Sequence, residues 1–143
     1  MNNFDLDRFV RAQSPVYAAA LRELSQGAKR THWMWFVLPQ LAGLGTSEMA
    51  RRYAISSADE ARAYLAHPIL GPRLRECTEA VNALENTTAD AIFGYPDNRK
   101  FQSCLTLFEA TAPDSAIFSD AIEKYFAGKR DPETLRLLAE TSL

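Results

Sequence analysis

The side chains most suited to chemistry fall in one stretch, Lys29 to Ser47, KRTHWMWFVLPQLAGLGTS. It holds both tryptophans, Trp33 and Trp35, one of the two histidines, His32, and a Gly43-Leu44-Gly45 followed by Thr46 and Ser47. Tryptophan faces can stack on a base or another flat ligand, although aromatic side chains more often fill a core. At helical spacing Trp33 and Phe36 share one face and Trp35 points elsewhere, so at least one tryptophan should line a surface or pocket. Lys29, Arg30 and His32 stand just before them and could place cations and a proton-transfer group at its rim. A solvated turn after Gly27 explains the same residues without a ligand. The glycines precede a helix, whose free N–H groups and dipole suit a phosphate or carboxylate, and glycine lets a ligand approach the backbone closely. The pattern lacks the strand–glycine–helix context of a P-loop or dinucleotide fingerprint, so a plain turn before a capped helix is the structural alternative. On this reading the ligand-binding candidates are Lys29, His32, Trp33, Trp35, Gly43, Gly45, Thr46 and Ser47.

A second cluster runs from Asp97 to Ser103, DNRKFQS. Lys100 and Ser103 share a helical face at three-residue spacing. They flank Phe101 and Cys104, which head into the core. A lysine beside an apolar stripe can reach into a pocket or simply snorkel to water. Asp97 can cap the helix, and Glu48 occupies a first-turn position that the helix dipole favours. Glu48, Asp97 and Lys100 are the acid–base or electrostatic candidates, and Ser103 joins the ligand-binding set. The site prediction assumes that the two clusters meet in space. No metal site is expected, because His32, His67, Cys77 and Cys104 match no zinc spacing. No cofactor is expected either. Both cysteines lie on apolar helical stripes, where a thiol is usually an inert core residue.

The elements that must position these groups read as helices. The 143 residues, 47% hydrophobic and 24% charged, suit one soluble globular domain spanning 1–143. A net charge of −2 argues against a nucleic-acid module driven by bulk charge. No apolar run approaches the roughly 20 residues that span a bilayer, and MNNFDLDRF lacks the basic start and apolar run of a signal peptide. The expected location is the cytoplasm, and the expected state a monomer or weak dimer. Asp5 reads as an N-cap, Ser14-Pro15 as a cap with proline at the first helical position, and Gly27 as a stop. His32 to Leu38 reads as a short buried helix stopped by Pro39. Ser57-Ala58-Asp59-Glu60 matches a capping box. Thr87 or Thr88 caps a short helix that ends at Gly94, Ala112-Pro113 ends the helix begun near Asp97, and Asp131-Pro132 opens the last one. Arg52 to Ser56 is the only weak strand signal. The expected fold is all-α: a compact, orthogonal arrangement of about eight or nine short helices.

Three segments, THWMWFVLPQLAGLGTSEMARRYAI, EARAYLAHPILGPRLRE and IFGYPDNRKFQSCLTLF, resemble the signature segments of the domain of unknown function 1810 family. The resemblance runs from Phe4 to about Leu138. It implies a small, all-helical bacterial protein of a kind sometimes mislabelled as calpastatin, and it implies no activity. The general layout is also similar, more faintly and without a residue-by-residue match, to the NADAR proteins linked to NAD and ADP-ribose metabolism. That similarity favours a nucleotide-like ligand. The functional expectation is a protein that binds a small nucleotide- or ADP-ribose-like anion and acts as a glycosidase-type hydrolase. The alternative is a ligand-binding or protein-interaction domain without catalysis.

Overall fold

The computed structural model describes residues 4–112 and 115–141; the expected stop at Pro113 lies outside them. Among the described residues the chain forms ten helices and no strand. They are α1 (Asp7–Gln13), α2 (Tyr17–Ser25), α3 (Met34–Val37), α4 (Glu48–Arg52), α5 (Ala58–Ala66), α6 (Leu70–Asn82), α7 (Ala89–Phe93), α8 (Asp97–Thr111), α9 (Ala116–Phe126) and α10 (Pro132–Thr141). The all-α expectation holds. The count is slightly above the expected eight or nine, and α3, α4 and α7 are helices of only four or five residues. No helix is long and apolar enough to cross a membrane among the described residues.

Three caps fall where side-chain chemistry places them. Ser47 accepts the Ala50 N–H, Ser57 the Glu60 N–H and Thr88 the Ala91 N–H. Others differ. α1 starts at Asp7 behind Leu6, so Asp5 does not cap it. Ser14 ends α1 instead of opening α2, and its hydroxyl donates back to the Val10 carbonyl at 2.8 Å. Asp97 is the first residue of α8 and its carboxylate turns to lysines. A short polar side chain can serve a cap or a nearby ion pair, and here the second use prevails.

α8 is the central element. Phe101, Cys104, Leu105, Leu107 and Phe108 are buried along it, and α5, α7, α9 and α10 pack against it. Aromatic rings link the layers: Phe9 meets Tyr64 edge-on at 5.1 Å, Tyr64 meets Phe108 at 5.4 Å, and Phe108 meets Phe118 at 6.0 Å. Both cysteine thiols are buried and unbridged. Burial pushes the Cys77 thiol up to about 12 and the Cys104 thiol upward as well, so neither offers a thiolate at neutral pH.

Two polar constructions hold the segments that carry the candidate residues. The first closes the glycine loop at its base. Ile55 N–H donates to the Gln40 carbonyl at 2.9 Å and Ala42 N–H to the Ile55 carbonyl at 2.8 Å, a single parallel bridge between Leu41 and Ile55. This is all that the weak strand signal at Arg52 to Ser56 becomes. Arg8 braces the same base, donating to the Arg52 and Ala54 carbonyls at 2.9 and 2.8 Å and pairing with buried Glu60 at 3.0 Å.

The second construction is Glu23, on α2 and only 6% exposed. Its carboxylate accepts the backbone N–H groups of Arg30 and Thr31 at 2.7 and 3.0 Å, the Thr31 hydroxyl at 2.7 Å and the Trp33 indole N–H at 3.0 Å. Burial alone would raise its pKa. The four hydrogen bonds to the charged form win and hold it at about 2.

Two predictions follow from this packing. A folded-state pKa near 2 against an ordinary value of 4.5 is stability present above about pH 4.5 and lost as pH falls toward 2, on the order of 3 kcal/mol. Glu23→Gln should lower stability at pH 7 by about 1–3 kcal/mol and flatten the acid limb in thermal melts run across that range; parallel pH profiles for the two proteins would refute the role. At Gly71, in the first turn of α6, a Cβ would sit 2.1 Å from the Leu65 carbonyl oxygen. Gly71→Ala should therefore cost about 2–3 kcal/mol in chemical denaturation, where a change under about 0.5 kcal/mol would contradict the packing.

Candidate functional site

Past α2 the chain reverses at Gly27, in the left-handed region at φ +74°. Lys29 then bonds through its backbone N–H to the Ile92 carbonyl at 2.8 Å, which fixes its root beside α7. Its side chain is 9% exposed. The ammonium donates to the Thr31 carbonyl at 2.7 Å, pairs with Asp97 Oδ2 at 2.9 Å and lies 5.1 Å from the Trp33 ring centroid.

Asp97 takes a second lysine. Lys100, one turn along α8, places its Nζ 3.4 Å from Asp97 Oδ1 and 5.5 Å from the centroid of the Trp35 ring. The two sequence clusters therefore adjoin. A single carboxylate sits between two ammonium groups, and each ammonium lies over a different tryptophan. Cation–π contacts of this kind are worth about 0.5–2 kcal/mol, more as water is excluded.

The tryptophans divide the work that the sequence left open. Trp33 is fully buried and gives its N–H to Glu23, so it has no face to offer. Trp35 is half-buried and lines a small cavity of about 140 Å³ with Gln40, Gly43, Gly45, Arg51 and Tyr53. A second, more open cavity of about 240 Å³ is lined by Gln40, Gly45, Lys100, Ser103 and the carboxylates Asp131 and Glu133, among others. Gln40 and Gly45 line both. Asp97 is joined to the larger cavity through its pair with Lys100.

The remaining predicted residues lie apart or are otherwise engaged. His32, Thr46 and Glu48 are exposed, and neither they nor Ser47 line either cavity. The Ser47 hydroxyl is the cap of α4, accepting from Ala50 N at 3.1 Å. Ser103 does line the larger cavity, yet its hydroxyl donates to Asp131 Oδ2 at 2.8 Å and to the Arg99 carbonyl at 3.2 Å. It ties α8 to the start of α10, where Asp131 also accepts from Thr134 Oγ1 at 2.6 Å.

Several residues at the site were not anticipated. Glu23 is the largest omission. It stands three residues after buried Ala20, on the edge of an apolar stripe, and a carboxylate in that position is a detectable signal. Gln40 carries no sequence pattern that marks it, and Asp131 is marked only as the opening of the last helix. No group of three or more His, Cys, Asp or Glu side chains is placed to hold a metal among the described residues.

The chain is similar to a solved structure of the conserved hypothetical protein Rv1873 from Mycobacterium tuberculosis, at 51% identity and a TM-score of 0.95, over 96% of this chain and 99% of that one. No curated protein matches it. The family model described as protein of unknown function (DUF1810) matches residues 3–138. With nearly the whole length matched, the chain belongs to the DUF1810 family.

Proposed function

We propose that the Asp97 cluster binds a small nucleotide- or ADP-ribose-like anion and serves as a glycosidase-type hydrolase. The observation that carries this reading is the carboxylate of Asp97 held between Lys29 and Lys100, with Lys100 lying over the Trp35 ring. Lys100 on the cavity wall can pair with a phosphate or carboxylate, and the adjoining aromatic face suits a planar group. The carboxylate then has a use in the reaction. Breaking a glycosidic bond develops positive charge on the sugar ring, which a neighbouring carboxylate stabilises. The bond between the anomeric carbon and the leaving group breaks, and that group departs with the bonding pair. Water oxygen bonds to the same carbon, and its proton passes to the leaving group. In this reading Lys100, on the cavity wall, steers that proton or balances charge on the leaving group. Glu48 is given no part, since it lies exposed on α4 and away from both cavities.

Binding is tested by a thermal-shift screen against NAD, ADP-ribose, nucleotides, sugar phosphates and simple anions. A ligand at about 100 times its dissociation constant adds roughly 2.7 kcal/mol, which for a domain of this size moves the melting point by roughly 5–10 °C. The shift given by ADP-ribose should fall in Trp35→Ala and in Lys100→Ala. For any ligand that is turned over, Asp97→Asn should lower the rate at least about a hundredfold while the ligand still raises the melting point. Unchanged turnover in that variant would remove catalysis from Asp97 and leave a binding protein.

A further inference from the structure

A further cavity beside α8 belongs to neither of the two above. It is open to solvent, has a volume of about 360 Å³ between α7, the outer side of α8 and the end of α9, and its wall includes Asp90, Arg99, Gln102, Tyr125, Phe126 and Lys129. That volume lies within the roughly 300–1,000 Å³ range of small-molecule sites. Arg99 and Gln102 also line the Lys100 cavity, so a single ridge of α8 separates the two.

The polar groups on this wall are unequally committed. The Arg99 guanidinium and the Lys129 ammonium are exposed and make no ion pair or side-chain hydrogen bond among the described residues. Most other cations near α8 are engaged: Lys29 and Lys100 by Asp97, Arg130 by Glu109. Asp90 is the one carboxylate on the wall. It accepts from the Asn98 amide through Oδ1, which leaves Oδ2 open. Gln102 spends its amide N–H on the Lys129 carbonyl at 2.8 Å, and its Oε1 stays open. Tyr125 gives its hydroxyl to the Val81 carbonyl, and the Tyr125 and Phe126 rings rest on Phe101 at 6.5 and 6.1 Å. These two rings are therefore held in place and offer the cavity apolar surface only.

We propose that this cavity is a second binding site, for a nucleoside monophosphate. Two unpaired cations on one wall match a dianion better than a carboxylate, which a single arginine would satisfy. The fixed aromatic surface of Tyr125 and Phe126 takes the planar base. Asp90 Oδ2 and Gln102 Oε1 are acceptors for ribose hydroxyls or an exocyclic amine. The assignment stands independently of the hydrolase reading, because Lys129, Tyr125 and Phe126 line only this cavity of the three.

The test is calorimetric titration of adenosine 5′-monophosphate into the full chain at low salt. One saturable site is expected, weakened about tenfold or more in Lys129→Ala and in Arg99→Ala, since each removes a charge-assisted contact to phosphate. Both side chains are exposed, so both variants should keep the wild-type melting point. Adenosine, which lacks the phosphate, should bind at least about tenfold more weakly. Absence of saturable heat overturns the proposal, and so does wild-type affinity in Lys129→Ala. Binding lost in Trp35→Ala and kept in Lys129→Ala would also overturn it and would place the nucleotide at the Lys100 cavity.

Discussion

Everything at the candidate site depends on one buried carboxylate. Between Gly27 and α3 the chain has no regular hydrogen-bonding pattern, yet it must hold Lys29 and Trp33 in fixed positions. Backbone N–H groups in such a segment need partners when they are withdrawn from water. Glu23 supplies them for Arg30 and Thr31, and takes the Thr31 hydroxyl and the Trp33 indole with the same two oxygens. The charge is tolerable inside because each oxygen is satisfied, which is the condition under which a buried ion stabilises a fold. The loop thus gains the rigidity that a helix would have provided, and keeps its side chains free to point at α8.

α8 receives that loop and joins it to the rest of the fold. Its first turn carries Asp97 and Lys100, its middle turns fill the core, and its Ser103, Thr106 and Glu109 hold the chain leading into α10. Thr106 Oγ1 accepts the Asp131 N–H at 2.9 Å, Ser103 donates to the Asp131 carboxylate, and Arg130 pairs with Glu109. One helix therefore sets the distance between the lysine cluster and the wall formed by α10. A shift in its packing would move both cavities on its flanks together.

Much of the fold was legible because its signals are local. Ser47, Ser57 and Thr88 cap helices as hydroxyl residues do, and Gly27 takes the left-handed turn that favours glycine. The burial of Phe101, Cys104, Leu105 and Phe108 follows from their spacing. The misreadings differ in cause. Ser14 turns its hydroxyl back to the Val10 carbonyl one helical turn away, whereas Asp97 gives its carboxylate to Lys29 and Lys100 instead of to a cap. Asp97 faces Lys29 across 68 positions, so no local pattern could assign it. The site was legible as two stretches, and the sequence offered nothing to prove that they touch. It also could not separate Trp33 from Trp35 in role, because the difference lies in Glu23 reaching one indole and Lys100 covering the other.

The two lysines around Asp97 are not equivalent, and the inequality bears on what the cluster can do. Lys29 is nearly enclosed, with its ammonium divided between the Thr31 carbonyl and the carboxylate. Removing one partner of such a pair leaves a poorly solvated charge, a change that costs far more than losing an exposed pair. Lys29 is therefore a fixed post that orients Asp97. Lys100 is 28% exposed, makes a longer contact with the same carboxylate and stands on the cavity wall. Its hold on Asp97 is therefore the weaker of the two, and the Trp35 ring beneath it limits where the ammonium can go, so the cluster combines one enclosed cation with one that water can reach.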